Sequence, residues 1–222
     1  MYLSRKHKII IVWNIRTGST SLHRYLRLHV PDSDFGPAHA KYGPKKGHWN
    51  SRFCQIVNYF QIPPEELPTY RIGSFYRDPL DRTISSMAYQ QHHFPDRVAG
   101  LSFSEYLEEH GKYVQPQWMY LTDRDIMGVR TFDGIDLNWE WFNFHDYENE
   151  FRRITSWFGL TPGAKAEKMV ATTGNEIPHV NAFPRLQVED LTQQEIDRCK
   201  EIYRADYELL ENHGIMVPSR NL

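Results

Sequence analysis

The sequence predicts an α/β protein with a mostly parallel central sheet flanked by helices, and three observations support this fold class. Strand and helix signals alternate along the chain, as they do when helices cover a parallel sheet. The 222 residues are enough for one sizeable core, and no Ser/Gly-rich linker or internal repeat divides them, so we expect a single domain over residues 1–222. Near the N-terminus an apolar strand, a polar turn with one glycine and an amphipathic helix follow one another, which is typical of phosphate-binding α/β folds.

The elements of the first half are predicted in the following order. An apolar strand over 8–13 enters the polar turn, and a helix with apolar residues at helical spacing leaves it. A second helix is expected over about 51–60, and a strand in TYRIGSFYR, residues 69–77. Asp78 and Pro79 are typical of an N-cap and a first helical turn, so a third helix should begin there.

The second half contains weaker and stronger signals. Residues 113–138 predict loops and a short strand, whereas EWFNFHDYENEFRRITSWFG predicts a strand followed by a helix that Gly159 closes. Two more helices, a short one ending at Gly111 and a C-terminal one reaching Gly214, begin with capping-box patterns. The capping residues are Ser102 with Glu105, and Thr192 with Glu195.

Composition excludes several partners. With 26 basic and 28 acidic residues the net charge is -2, so nothing in the overall charge attracts nucleic acid or an anionic membrane. Cys54 and Cys199 lie far apart in apparent helices, which argues against a disulfide framework and favours two core residues in a reducing compartment. No apolar run is long enough for a membrane span, so we expect a cytoplasmic protein.

The turn in NIRTGSTSL, residues 14–22, is the first candidate site. Unpaired N–H groups at a helix start, together with the positive end of the helix dipole, bind tetrahedral anions. The Thr and Ser hydroxyls of this turn are further hydrogen-bond donors to an anion, and Arg16 adds a positive charge. The candidate residues are Arg16, Thr17, Gly18, Ser19, Thr20 and Ser21. A helix N-cap rich in Ser and Thr is the plain alternative, and the missing Lys argues against a nucleoside triphosphate with magnesium.

A second candidate anion site lies in RIGSFYRDPLDRTISS, residues 71–86. Arg77 ends a predicted strand and Ser85 lies two turns into the following helix. If the two strands are neighbours in the sheet, Arg77 and Ser85 belong to the same sheet edge as the first turn. Two such sites indicate a ligand with two separated anionic groups.

These two segments together resemble the nucleotide-binding motifs of the sulfotransferases, especially the carbohydrate branch. WFNFHDYENEFRRITSWFGL, and IPHVNAF followed by the C-terminal helix, are similar to later parts of that family in the same order. The resemblance implies a P-loop NTPase-like sulfotransferase fold. It also implies that residues 16–21 hold the 5′-phosphosulfate of 3′-phosphoadenylyl sulfate (PAPS), that Arg77 and Ser85 hold its 3′-phosphate, and that PAP is the product.

Transfer of a sulfuryl group to a hydroxyl requires charge stabilisation and a base, and it requires no metal. Arg16 stands where the family usually has Lys and would stabilise the leaving oxygen, although a guanidinium cannot act as an acid at neutral pH. The resemblance makes His39 the first candidate for the base, since a neutral imidazole can accept the hydroxyl proton. Other candidates are His48, and then a carboxylate such as Glu140 or Asp146.

The acceptor is expected to be a small molecule or a carbohydrate. YVQPQWMYL, residues 113–121, offers Gln and aromatic side chains of the type that contact sugars, although core packing explains Trp118 and Tyr120 equally well. Two other functional classes stay open: a small-molecule kinase with a degenerate phosphate loop, and a non-catalytic nucleotide-binding relative.

Overall fold

The computed structural model shows an α/β protein. The residues it describes are 2–14, 16–18, 22–23, 25–26, 29–30, 34–35, 53, 57, 60–109, 116–117, 131–132, 135–160, 186–212 and 214–215. The predicted helix after the polar turn is present, since every described residue from 22 to 29 is helical. Phe53 and Val57 are also helical, as expected for the second helix.

The described elements with full bounds are short strands and six α-helices. The strands are β1 (Tyr2–Ser4), β2 (Ile9–Val12), β3 (Asp34–Phe35), β4 (Arg71–Tyr76), β5 (Thr131–Phe132), β6 (Ile135–Asp136) and β7 (Asn138–Asn143). The helices are α1 (Pro79–His93), α2 (Pro95–Val98), α3 (Phe103–Glu109), α4 (Tyr147–Ser156), α5 (Gln193–Ile202) and α6 (Arg204–Asn212). Short 3-10 helices span Pro64–Thr69, Phe144–Asp146 and Val188–Asp190.

The chain divides into two compact units. The first unit comprises Met1–Tyr76 and Tyr120–Val180, and the second comprises Arg77–Met119 and Asn181–Leu222. Each unit has its own hydrophobic core. The expectation of a single domain over residues 1–222 stays a prediction.

The first unit holds a five-stranded sheet in the order β3-β1-β2-β4-β7. Strand β4 runs parallel to both β2 and β7, whereas β1 is antiparallel to β2 and to β3. Four of the five strands therefore point the same way, and β1 alone is reversed. The prediction of an α/β protein with a mostly parallel sheet flanked by helices is confirmed at this level.

The strand sequences explain where the sheet is buried. All four residues of β2, Ile9–Val12, are buried, as a continuous apolar run in a central parallel strand should be. In β4 the small residue is Gly73, because a Cβ there would lie 2.5 Å from the ring of Phe142 and 2.9 Å from that of Trp157. Those two rings therefore pack directly on the β4 backbone.

The second unit is built on helices α1, α3 and α5, whose apolar faces share one core. The Asp78 cap is confirmed, because its Oδ1 accepts from the Asp81 N–H (2.9 Å), and both capping boxes are present. Cys199 is buried in this core as predicted, while Cys54 lies outside the described residues.

The C-terminal helix differs from the prediction in one respect. A single helix was expected up to Gly214, but the structure has α5 and α6 with an interruption at Tyr203. The Tyr203 carbonyl accepts from the N–H groups of both Asp206 and Tyr207, so the second helix begins on its own hydrogen bonds. Burial continues across the interruption at helical spacing, which is why the sequence pattern does not show it.

Candidate functional site

The polar turn, here called the Gly18 turn (described residues 14 and 16–18), follows the carboxyl end of β2 and leads into the helical segment. The Thr17 hydroxyl is buried and donates to the Asn14 carbonyl (2.9 Å). The Leu22 N–H donates to the Gly18 carbonyl (3.4 Å), which marks the start of the helix. The turn thus has the strand-turn-helix form that the sequence predicts.

Two residues of this turn have left-handed backbone conformations. Gly18 has φ +74°, which glycine adopts without steric cost, whereas Arg16 has φ +65°, which is uncommon for a residue with a side chain. A non-glycine residue in this region costs roughly 1–3 kcal/mol and persists only where the surroundings hold it. Sequence reasoning singled out Arg16 for its charge and not for its backbone.

Aromatic residues after β7 hold the Gly18 turn from one side. The Tyr147 hydroxyl donates to the Gly18 carbonyl (3.0 Å). A Cβ at Gly18 would lie 2.6 Å from Cε2 of Tyr147 and 3.0 Å from Cε2 of Phe144. Glycine is therefore required here twice, by its φ and by the close approach of two rings.

Asn14 connects the turn to the sheet. Its buried Nδ2 donates to the Phe75 carbonyl (2.9 Å) and to the Ser74 hydroxyl (3.3 Å), and Ser74 in turn donates to the Val12 carbonyl (2.9 Å). These bonds bridge the carboxyl ends of β2 and β4. The parallel β2–β4 pairing makes the two strands neighbours, which is the condition for Arg77 and Ser85 to belong to the same sheet edge as the turn.

The second candidate site begins at Arg77, the residue that follows β4 in the chain. Its Nε donates to Oδ2 of Asp81 (2.8 Å), one turn along α1, and both side chains are at most a tenth exposed. Ser85 is also buried, at 7%. Asp81 therefore orients the Arg77 guanidinium.

Gln117 contacts the main chain of Arg77 at both polar groups. The Arg77 N–H donates to Oε1 of Gln117 (3.0 Å), and Nε2 of Gln117 donates to the Arg77 carbonyl (2.7 Å). Gln117 is 1% exposed. The sugar-contacting role suggested for the Gln residues of the 113–121 segment does not describe Gln117, whose amide is used inside the protein. Trp118 and Tyr120 lie outside the described residues.

A buried ion pair lies next to Gln117. Nη2 of Arg82 is 3.3 Å from Oδ2 of Asp206, and neither side chain is exposed. The same carboxylate oxygen accepts from the Gln117 N–H (2.8 Å). The Arg82 guanidinium also lies over the Tyr203 ring, 5.5 Å from its centroid, and burial raises the pKa of Tyr203 to about 12. This part of the second unit is thus a connected, buried polar network.

The two carboxylates considered as alternative bases lie at different places in the first unit. Glu140 pairs with Arg71, the first residue of β4 (2.7 Å), so its carboxylate is directed towards the amino-terminal end of that strand. Asp146 follows β7, at the sheet edge where the Gly18 turn lies, and accepts from Asn149 (2.8 Å). His145, which the sequence argument did not consider, is an exposed neighbour of Asp146 at this edge.

Several predicted site residues lie outside the described residues. They are Ser19, Thr20, Ser21, His39 and His48. Their assignments stay predictions. In the described part of the site, the structure gives positions for Arg16, Thr17 and Gly18 in the first unit and for Arg77 and Ser85 in the second.

Sequence reasoning missed three elements of the site: the Tyr147 contact, the Gln117 clamp and the Arg82–Asp206 pair. The partners in these contacts are separated by 129, 40 and 124 residues. A local signal existed for one of them, because an Arg inside the buried stripe of a helix requires a buried carboxylate partner.

Two absences hold for the residues that the structure describes. Among them, no group of three or more His, Cys, Asp or Glu side chains is arranged to hold a metal ion. Within the same residues, every helix is too short or too polar to cross a membrane. Comparison with protein-family models, with curated proteins and with solved structures gave no match.

Proposed function

We propose that this chain is a sulfotransferase that transfers the sulfuryl group of PAPS to a hydroxyl acceptor. The Gly18 turn would hold the 5′-phosphosulfate, and Arg77 with Ser85 would hold the 3′-phosphate. The resemblance to the sulfotransferase motifs and the local geometry of each segment support the proposal.

The observation that carries the proposal is the conformation of the Gly18 turn. Its left-handed residues are Arg16 and Gly18. The turn that contains them is held by hydrogen bonds from the Thr17 and Tyr147 hydroxyls and by the rings of Phe144 and Tyr147. Backbone strain that the surroundings maintain in this way is concentrated at ligand-binding turns. Turns that expose successive N–H groups at a helix start bind tetrahedral oxyanions.

The reaction is an in-line displacement at sulfur. The acceptor oxygen forms a bond to sulfur while the bond between sulfur and the 5′-phosphate oxygen breaks, and the electron pair stays on the phosphate. Arg16, a permanent cation, stabilises the charge that develops on this leaving oxygen. His39 takes the acceptor proton, and PAP with a sulfated acceptor is released.

The donor is tested by calorimetry of the purified chain with adenosine 3′,5′-bisphosphate and with magnesium ATP. The sulfotransferase proposal expects binding of the bisphosphate and weak or no binding of magnesium ATP. The reverse result would support the small-molecule kinase and reject PAPS as the donor.

The base is tested by turnover with labelled PAPS against a panel of hydroxylated acceptors that includes carbohydrates. His39→Ala should abolish transfer and keep bisphosphate binding. His145→Ala and Asp146→Asn are compared with it, because both residues lie at the sheet edge where the Gly18 turn lies and Asp146 is an alternative candidate for the base. Full turnover of His39→Ala would remove His39 from the mechanism, and loss of turnover in one of the other two variants alone would move the role to that residue.

A further inference from the structure

The side chain of Gln117 makes the two main-chain hydrogen bonds to Arg77 that a neighbouring strand would make. Strand β4 ends at Tyr76, and Arg77 is the residue that follows it. Gln117 supplies an acceptor to the Arg77 N–H (3.0 Å) and a donor to the Arg77 carbonyl (2.7 Å). Both main-chain groups of Arg77 are thereby satisfied by one buried side chain, which restricts the backbone at this position.

Gln117 is itself fixed from the C-terminal helix. Its N–H donates to Oδ2 of Asp206 (2.8 Å), the oxygen that also accepts from Arg82 (3.3 Å). Arg82 and Asp206 are both fully buried, so their pairing is retained in a low-dielectric environment. A continuous series of hydrogen bonds therefore runs from Asp206 in α6 through Gln117 to the main chain of Arg77.

The Arg77 side chain is constrained in a second way. Asp81 accepts from its Nε at 2.8 Å, and the residue is 5% exposed. With the backbone held by Gln117 and the guanidinium held by Asp81, the cation has a defined direction before any ligand binds. An anion that contacts such a group binds without the entropic cost of ordering it.

We infer that Gln117 is a positioning residue that makes the chain selective for adenosine nucleotides carrying a 3′-phosphate, with Asp206 holding Gln117 in place. The inference rests on the proposed function, because it assigns the 3′-phosphate to Arg77. Gln117 acts through the Arg77 backbone and contacts no nucleotide. Loss of the Gln117 side-chain amide therefore weakens the binding of the 3′-phosphate by Arg77 and leaves the contacts of the 5′-phosphate unchanged.

The test compares adenosine 3′,5′-bisphosphate with adenosine 5′-monophosphate, which differ only in the 3′-phosphate. Their dissociation constants are measured by calorimetry for the full chain and for Gln117→Met, which keeps the side-chain volume and removes both hydrogen bonds. The bisphosphate affinity should fall about tenfold while the monophosphate affinity stays constant. If Gln117 had only a structural role, the affinities for both nucleotides would fall in the same proportion.

Two further variants keep the test decisive. Gln117→Glu retains an acceptor for the Arg77 N–H and loses the donor to the carbonyl, so it should show a smaller fall in selectivity and serve if Gln117→Met does not fold. Thr192→Ala removes the α5 cap without touching the Arg77 contacts, and its ratio of the two affinities should equal that of the wild type.

The outcomes separate the two proposals. If the wild type prefers the bisphosphate and both Gln117 variants keep that preference, the positioning role is overturned and the proposed function stands. If the wild type binds the two nucleotides equally, the 3′-phosphate site at Arg77 is wrong, and the proposed function and this inference fall together.

Discussion

The Gly18 turn and the Arg77 network are assigned the same task, holding an anionic group, but they are built by different physics. The turn relies on backbone conformation: two left-handed residues, a buried hydroxyl and two aromatic rings. The network relies on buried charge: Arg77 with Asp81 and Arg82 with Asp206. Gln117 joins the two pairs, because its side-chain amide binds the Arg77 main chain and its main-chain N–H donates to Asp206. The first should therefore be sensitive to the addition of a single methyl group, and the second to the removal of a single charge.

The largest effect is expected when the buried ion pair is broken. Asp206→Asn leaves the Arg82 guanidinium buried without its carboxylate, which should lower the free energy of unfolding by about 3–5 kcal/mol. Urea denaturation measures this loss. Glu108→Gln, which breaks the exposed pair with Arg198, is the control and should hardly move the midpoint. Equal losses of unfolding free energy in the two variants would show that burial does not make the Arg82–Asp206 pair more important than the exposed pair.

The next largest effect concerns the turn. Gly18→Ala places a methyl group against the rings of Tyr147 and Phe144 and imposes a side chain on φ +74°, so we expect a loss of about 3 kcal/mol. Gly159→Ala is the matched control, because its φ is +67° and nothing lies within 4 Å of the added Cβ. It should cost only about 1 kcal/mol. Similar midpoints for the two variants would mean that the aromatic rings do not restrict the turn.

A smaller effect is expected from the hydroxyl that holds the turn. Tyr147→Phe keeps the ring and removes the hydrogen bond to the Gly18 carbonyl, which should cost about 1 kcal/mol. Under the proposed function, bisphosphate affinity should also fall a few-fold, since the turn is less ordered before binding. An unchanged affinity together with an unchanged midpoint would show that the Tyr147 hydroxyl is dispensable.

The smallest effect concerns Cys199, which is buried in the core of the second unit. Burial raises the pKa of the Cys199 thiol from 9.0 to about 12. Because the unfolded thiol loses its proton first, this contribution to stability is complete below pH 9 and is lost as the pH rises towards 12. In peptide-resolved alkylation at pH 9, Cys199 should stay unmodified in the native chain and react in urea. Rapid native labelling would show that the thiol is accessible.

The sequence was sufficient for features whose cause is local. The apolar run of β2, the Asp78 cap and the Thr192 capping box each depend on residues within a few positions of one another, and all three are confirmed. The second candidate site presupposed that β2 and β4 are neighbours, and their parallel pairing meets that condition.

The remaining features depend on long-range packing. Tyr147 reaches Gly18 only because β7 lies beside β4, and no local pattern contains that strand order. The burial of the Gln117 amide could not be predicted, since a Gln between Pro116 and Trp118 carries no local signal of burial. The break at Tyr203 was hidden because the helical period of buried residues continues through it.

The proposed function assigns the two ends of one nucleotide to these two regions. A crystal structure of the chain with adenosine 3′,5′-bisphosphate tests this most directly. We expect the 5′-phosphate within hydrogen-bonding distance of the main-chain N–H groups of the Gly18 turn, and the 3′-phosphate within hydrogen-bonding distance of the Arg77 guanidinium and the Ser85 hydroxyl. A bisphosphate bound elsewhere, or one that contacts only one of the two regions, would contradict the account.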